Sequence, residues 1–258
     1  MSRGTAVRMW ALEPATYRSP AHVAEFGSAA PRIPFPIYLV EHAEGFVLFD
    51  AGLDPDHAGD PAGAYGEMAQ RIDMVFDERH LVETHLEAIG RSMDDVTTVV
   101  ASHLHFDHAG SLKRFPRART ILGAGELEYA RAPERFSSAW FRDEDFGAGT
   151  GLEFDVIDED EDVFGDGSLV VRRLPGHTPG SLALQVALPE RTLVLSGDVV
   201  HTRGAYESEL HYHGDVDSVA ARASLRRLRG ILDAEKADLW IAHDPADWER
   251  FGGAGEKR

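Results

Sequence analysis

The sequence predicts a mixed α/β or α+β sandwich, and three observations support this fold class. Short apolar runs rich in β-branched residues recur along the chain, as at 96–101, and such runs are typical of buried strands. Apolar residues with helical spacing lie between them, as at 79–89. Strand-like and helix-like segments are mixed throughout, which disfavours a helical bundle and an all-β barrel.

The expected elements can be placed in order along the chain. Residues 1–36 are expected to form an irregular N-terminal arm, because the segment from Arg18 through Pro36 contains four prolines. Two apolar runs, 37–40 and 46–49, flank a short turn at Glu44-Gly45 and predict a β-hairpin. The other expected elements are an exposed loop at 55–66, helices at 79–89, 126–131 and 217–232, and strands at 96–101, 119–122, 168–174, 181–188, 191–196 and 238–242.

Length and charge limit the organisation and the partners of the chain. Its 258 residues suit one large domain or two small ones. We find no convincing linker or internal repeat, so we expect a single domain over 1–258. The formal net charge is -18, from 26 Lys+Arg against 44 Asp+Glu. This excess repels phosphate backbones and anionic lipid, so we expect neither nucleic acid nor a membrane as partner, although the same charge also promotes solubility.

Cysteine content and the N-terminus bear on chemistry and location. The chain has no cysteine, which excludes disulfides, thiolate metal ligands and a cysteine nucleophile. Residues 1–18 carry charges and a proline where a secretory signal needs an apolar run. No apolar stretch approaches the roughly 18 residues of a membrane helix. We therefore expect a cytoplasmic protein.

Imidazole and carboxylate side chains follow four of the expected strands. Loops at strand ends are where α/β proteins build their sites. Seven such donors are too many for one tetrahedral ion, and they fit two ions that share a bridging group. Zinc, iron, manganese and cobalt all accept these donors. The seven donors are His103, His105, Asp107 and His108 after 96–101, His177 after 168–174, Asp198 after 191–196, and His243 after 238–242.

With these residues the chain resembles the metallo-β-lactamase superfamily, whose pattern is His-x-His-x-Asp-His followed by distant His, Asp and His ligands. Within the superfamily it is most similar to the N-acyl-homoserine lactonase group, from about Pro36 to Asp244. The motif is specific for the superfamily and much less specific for the substrate. The matching segments are Asp50-Ala51-Gly52, residues 102–110, residues 176–180, Gly197-Asp198 and Ala242-His243-Asp244.

The resemblance implies an αββα sandwich with two divalent metal ions at one edge of the packed sheets. The ions are expected to be zinc, with iron, manganese or cobalt as alternatives. The implied activity is that of a lactonase, which opens an N-acyl-homoserine lactone or a related small lactone by attack of a metal-bridging hydroxide. By position, His103, His105 and His177 would hold the first ion, Asp107, His108 and His243 the second, and Asp198 would bridge the two.

The resemblance also suggests roles for residues beside the metals. Asp107 is the candidate to protonate the leaving alkoxide, with a pure ligand role as the alternative. Asp50 is expected to orient a ligand or a loop. The best-known lactonases have a tyrosine three residues beyond the bridging Asp, where this chain has His201. A neutral imidazole N–H can donate to the substrate carbonyl, bind metal or stay idle. The phenol of Tyr206 is a less favoured candidate for the contact with the substrate carbonyl. Lactonases also often have a histidine directly after the second glycine of the turn 176–180, where this chain has Ser181.

The substrate pocket is less well defined by the sequence. The segment 211–213 either lines the pocket or forms a polar surface loop. Other activities also stay open: hydrolysis of a thioester, a phosphodiester or another lactone, or an iron-dependent persulfide dioxygenase. A small-molecule lactone is the expected partner, and a homodimer is left open. The aromatic residues that would form an apolar wall for an acyl chain, or else pack beneath their own loop, are Phe136, Trp140, Phe141 and Phe146.

Overall fold

A computed structural model describes residues 5–18 and 31–258, and two β-sheets form its centre. The strands are β1 (Arg8–Leu12), β2 (Thr16–Tyr17), β3 (Ile33–Pro34), β4 (Ile37–His42), β5 (Gly45–Phe49), β6 (Val96–Val100), β7 (Arg119–Gly123), β8 (Phe154–Ile157), β9 (Glu161–Asp162), β10 (Leu169–Arg173), β11 (Leu182–Ala187), β12 (Thr192–Leu195), β13 (Ala237–Trp240) and β14 (Gly255–Lys257). One sheet has the order β14-β1-β4-β5-β6-β7-β8, the other β13-β12-β11-β10-β9, and β2 pairs with β3 separately.

Helices and short 3-10 turns connect these strands. No helix in residues 5–18 and 31–258 has the length and apolar character needed to cross a membrane. The α-helices are Pro61–Arg71, Val82–Ala88, Phe106–Ala109, Glu126–Arg131, Asp143–Phe146, Arg203–Glu207, Ser218–Glu235 and Pro245–Arg250. The 3-10 turns are Pro55–His57, Glu78–His80, Met93–Asp95, Leu112–Arg114, Ser138–Trp140 and Ala148–Thr150.

The central core lies between the two sheets. Successive side chains of a strand point to opposite faces of a sheet, and β4 shows this alternation. Tyr38 and Val40 face the inner core together with Leu184 of β11, whereas Ile37 and Leu39 belong to a separate core on the outer face. The first four residues of β4 are therefore buried on both faces of the sheet, and they are apolar on both sides.

Helices cover the outer faces of the two sheets. Leu86 of the helix Val82–Ala88 packs in the outer core of the large sheet. The helix Ser218–Glu235 covers the second sheet through Leu225 and Leu228. The resulting order of layers is helix, sheet, sheet, helix, which confirms the expected αββα sandwich.

Parallel pairing brings several strand ends to one edge of the sandwich. The strands β5, β6, β7 and β8 run parallel in the large sheet. In the second sheet β12 runs parallel to β13. Asp50 follows β5 and the histidine-rich segment follows β6, while Asp198 and His243 follow β12 and β13. The carboxyl ends of parallel strands share an edge, so these side chains converge from both sheets.

The structure confirms most expected elements and corrects the irregular arm at residues 1–36. Residues Arg8–Leu12 form β1, which pairs with β4 and β14 inside the large sheet. Met9 faces the inner core and Trp10 the outer one, so this segment is a strand buried on both faces. The prolines that suggested an arm lie after it. Residues 1–4 and 19–30 of the expected arm lie outside the described residues.

Two further segments differ from expectation. The loop expected at 55–66 contains the turn Pro55–His57 and the start of the helix Pro61–Arg71. Asp60 caps this helix by accepting a hydrogen bond from the Gly63 amide, 2.9 Å away, so its Asp-Pro pair is a helix start. The helix expected at 79–89 is shorter, because a 3-10 turn at Glu78–His80 precedes Val82–Ala88.

Gly123, the last residue of β7, permits the close approach of the loop that carries His177. A Cβ at position 123 would clash with the backbone carbonyl oxygen of Gly180. We expect Gly123→Ala to lower the free energy of unfolding by about 1–3 kcal/mol through overpacking. Gly230→Ala is the matched control, because Gly230 is exposed in a helix with open space around it, and it should raise that free energy by about 0.5–1 kcal/mol. Equal midpoints of urea unfolding for the two variants would contradict this packing.

Candidate metal centre

The seven donors found in the sequence come together at the shared edge of the sheets, and all seven are buried. They form two groups, and within each group the ligand atoms lie within 4.8 Å of one another. The structure therefore gathers the donors into the same two sets that the resemblance implied, apart from Asp198. The first group is His103, His105, His177 and Asp198, and the second is Asp107, His108 and His243.

Asp198 lies between the two groups and presents one carboxylate oxygen to each. Its Oδ2 atom is 3.5 Å from Nε2 of His177 and 4.0 Å from Nε2 of His103. Its Oδ1 atom is 3.3 Å from Nε2 of His108 and 3.1 Å from Nε2 of His243. A carboxylate with this orientation can serve two cations at once.

Within each group, ring nitrogens face one another across short distances. Nε2 of His177 lies 3.2 Å from Nδ1 of His105, and Nε2 of His243 lies 3.4 Å from Nε2 of His108. Among residues 5–18 and 31–258, the buried Nε2 atom of His103 has no hydrogen-bond partner. Buried polar atoms are normally satisfied, and converging lone pairs on nitrogen and oxygen fit a divalent cation. The donor set therefore fits two metal ions.

Burial and mutual proximity set the ionisation of these groups. Burial, followed by the neighbouring His108, holds the pKa of His103 well below its usual value. Burial and His177 do the same to the pKa of His105. Both rings are therefore neutral with lone pairs available for a metal. Burial alone would raise the pKa of Asp198, but the surrounding histidines hold it well below its usual range, so this carboxyl is ionised.

Asp50 orients two ligands of opposite groups, as the sequence led us to expect. Its Oδ2 atom is 2.8 Å from Nδ1 of His108, and its Oδ1 atom accepts a hydrogen bond from the Ser102 amide at 2.7 Å. The Ser102 hydroxyl in turn lies 3.0 Å from Nδ1 of His103. Asp50 itself has a φ of 63°, a conformation in which aspartate is more frequent than most residues. Such outer contacts fix the rotation of ligating imidazoles.

Two supporting carboxylates were missed by sequence reasoning. Oδ1 of Asp215 lies 3.1 Å from Nδ1 of His177. The fully buried Glu126 accepts hydrogen bonds from the amides of Leu104 and Gly180, at 2.9 and 3.0 Å. Glu126 thereby ties the histidine-rich segment to the loop around His177. No local motif indicates either role, because each depends on segments that are distant in sequence.

His201 lies at the border of the first group. Its Nε2 atom is 3.1 Å from Oδ2 of Asp198, and its ring centroid is 5.0 Å from that of His177. Tyr206 packs instead against the guanidinium groups of Arg203 and Arg229, with distances of 5.5 and 4.9 Å to its ring centroid. His201 is thus beside the donors, whereas Tyr206 belongs to a cation–π contact.

The expected aromatic wall is only half present at the site. Phe141 and Trp140 contact the His105 ring, with centroid distances of 4.6 and 5.7 Å. Phe146 is buried in the outer core of the large sheet, and Phe136 is 54% exposed. Two of the four aromatics therefore border the donors.

A third group of donors, formed by Asp54, His57 and Glu144, lies elsewhere on the chain. Lys113 already pairs with Asp54 at 2.6 Å, and Arg142 pairs with Glu144. Both carboxylates therefore already have a lysine or arginine partner in the protein.

Comparison with known proteins agrees with this geometry. A family model described as the metallo-beta-lactamase superfamily matches residues 36–243. The N-acyl homoserine lactonase AttM of Rhizobium radiobacter is 32% identical over 260 residues, covering 98% of both chains. The N-acyl homoserine lactonase of Bacillus cereus is 28% identical and covers 82% of both chains.

Solved structures show the same fold. One is an N-acyl homoserine lactone hydrolase with N-hexanoyl-L-homoserine bound at its catalytic metal centre; it superposes with a TM-score of 0.82 at 23% identity, covering 96% of this chain and 97% of that one. Another is AidC, a dizinc quorum-quenching lactonase, with a TM-score of 0.68 at 17% identity, covering 98% of this chain and 92% of that one. The chain therefore belongs to the metallo-β-lactamase superfamily and, within it, is a relative of the N-acyl homoserine lactonases.

Proposed function

We propose that this chain is a dinuclear metal-dependent lactonase, an ester-bond hydrolase that opens N-acyl homoserine lactones or a related small lactone. The observation that carries the proposal is the pair of buried donor groups with one Asp198 oxygen facing each. The relationship to the lactonase AttM supports the substrate class, because it extends over nearly the whole of both chains. Opening such lactones would make the protein a quorum-quenching enzyme of the cytoplasm.

The geometry supports an assignment of residues to the two ions. We assign zinc to both positions, because zinc accepts neutral imidazole and carboxylate ligands. Two divalent cations held there would lower the pKa of a bound water and polarise a carbonyl oxygen. The assigned ligands are His103, His105 and His177 for the first ion, Asp107, His108 and His243 for the second, and Asp198 for both.

Asp107 is the residue that we assign to proton transfer. Its Oδ2 atom lies 3.3 Å from Nε2 of His108 and 3.7 Å from Nε2 of His243. The carboxylate is therefore at the second group, where it can take up a proton and deliver it to the leaving alkoxide.

His201 is the residue that we assign to the substrate carbonyl. Its Nε2 atom lies beside Asp198 at the border of the first group. An N–H at this atom can donate to a carbonyl oxygen in the same place and stabilise the negative charge that develops there.

The lactonase assignment is tested with purified protein and a panel of N-acyl homoserine lactones of different acyl lengths. We expect hydrolysis, two metal ions per chain in the same sample, and loss of activity with a chelator that metal restores. Absence of turnover at every acyl length would reject the assignment. One iron per chain with oxygen uptake on a thiol persulfide would identify a dioxygenase instead.

Asp215→Asn tests whether this carboxylate supports the first ion. The amide has no negative charge to stabilise the N–H of His177, so we expect the metal affinity to fall about 10- to 100-fold, measured by competition with a chromophoric chelator. Asp166→Asn is the matched control, because Asp166 pairs with His42 at 3.2 Å outside the donor groups. Equal affinities of the two variants would mean that Asp215 does not support the metal.

His201→Phe tests the carbonyl contact. We expect kcat to fall on the order of 10²-fold, comparable to the loss of one donor to a developing oxyanion. Metal content and the thermal midpoint should stay near those of the wild type, because His201 is not one of the assigned ligands. A nearly unchanged kcat would remove His201 from the mechanism.

A further inference from the structure

Tyr212 stacks on His201 beside the first donor group. Its ring stacks on the His201 ring with a centroid distance of 4.0 Å and an angle of 23° between the planes. It also lies near His177, at a centroid distance of 6.2 Å. His201 therefore contacts both Asp198 and Tyr212.

Tyr212 is held in this place by the carboxylate that orients a metal ligand. The Tyr212 amide donates to Oδ2 of Asp215 at 2.8 Å, and the Asp215 amide donates to the Tyr212 carbonyl at 3.1 Å. The other oxygen of Asp215 lies 3.1 Å from His177. Gly214 provides the space, because a Cβ there would lie 2.7 Å from a ring carbon of Tyr212. The phenol is therefore pre-positioned relative to the first group.

The hydroxyl of Tyr212 is free to bind a ligand. Among residues 5–18 and 31–258 it makes no hydrogen bond, although the ring is only partly exposed. His201 can serve only one acceptor, because a neutral imidazole has one N–H, and we assign that N–H to the reacting carbonyl. A substrate with a second polar group beyond its reacting carbonyl would therefore find its donor in Tyr212.

N-acyl homoserine lactones have such a group. The acylamino nitrogen is attached to the ring carbon next to the reacting carbonyl, so its amide lies a few ångströms from that carbonyl. This spacing is comparable to the 4.0 Å between the rings of His201 and Tyr212. With the reacting carbonyl at His201, the amide oxygen comes within reach of the phenol.

We propose that Tyr212 donates a hydrogen bond to the acylamino group of the substrate and selects N-acylated lactones over lactones without an amide. The inference rests on the proposed lactonase function. It makes Tyr212 a specificity-determining residue that the sequence motif does not include. The stacking of Tyr212 on His201 also keeps the imidazole facing Asp198.

Tyr212→Phe tests the inference because it removes the hydroxyl and retains the ring. For N-hexanoyl homoserine lactone we expect kcat/KM to fall about 10-fold, mainly through KM, as for one lost hydrogen bond to a buried polar group. For γ-butyrolactone, which has the same ring without the amide, kcat/KM should stay within about twofold. Calorimetric titration of the metal-loaded enzyme should show weaker binding of N-hexanoyl homoserine but unchanged binding of homoserine.

Two further variants complete the test. Tyr206→Phe is the matched control, because this phenol is close in sequence but packs against Arg203 and Arg229. It should leave kcat/KM unchanged for both lactones. Tyr212→Leu also removes the ring that stacks on His201, so it should lower kcat/KM for both lactones.

The outcomes separate the inference from the function on which it rests. Equal loss of kcat/KM for both lactones in Tyr212→Phe would overturn the selectivity and leave Tyr212 as a positioning residue for His201. Unchanged values for both would show that the hydroxyl does not touch the substrate. Failure of the metal-loaded wild type to open either lactone would reject the lactonase function itself.

Discussion

The position of the Asp198 carboxylate is the constraint on which the rest of the site depends. Its two oxygens lie 3.1 to 3.5 Å from imidazole nitrogens of both donor groups. The ends of β6, β12 and β13 and the loop after β10 must therefore meet at one point. Burial of so many ionisable groups is costly unless they neutralise one another or bind cations. The rigid strands hold the donors in this arrangement.

Three carboxylates outside the donor groups fix the loops that bring the ligands together. Asp50 connects His108 to the Ser102 backbone, Glu126 connects the histidine-rich segment to the loop of His177, and Asp215 orients His177 itself. Each acts through charge-assisted hydrogen bonds, which are shorter and stronger than neutral ones. These hydrogen bonds hold the loops, and therefore the donor side chains, in the fixed positions that metal binding and substrate orientation require.

The clustering of the seven donors could be predicted from the sequence because they follow strands directly. A β-branched run predicts a strand from local composition, and residues just beyond it must lie at the edge of a sheet. The supporting residues could not be found in this way. Asp215 is 38 positions from His177 and Glu126 is 54 positions from Gly180, so only tertiary packing brings them together. The strand β1 was missed because the prolines that follow it dominate the composition of residues 1–36. The helix Pro61–Arg71 was missed because its Asp-Pro start is also typical of loops.

Asp215 contacts His177, a proposed metal ligand, with one oxygen and the backbone of Tyr212 with the other. The two binding events of the enzyme therefore share a single side chain. Thermodynamic linkage makes any such coupling reciprocal: an ion bound at His177 would also favour the observed position of Tyr212, and an acylated ligand bound to Tyr212 would slow the loss of that ion. Substrate recognition and metal retention would in this way both depend on the Asp215 side chain.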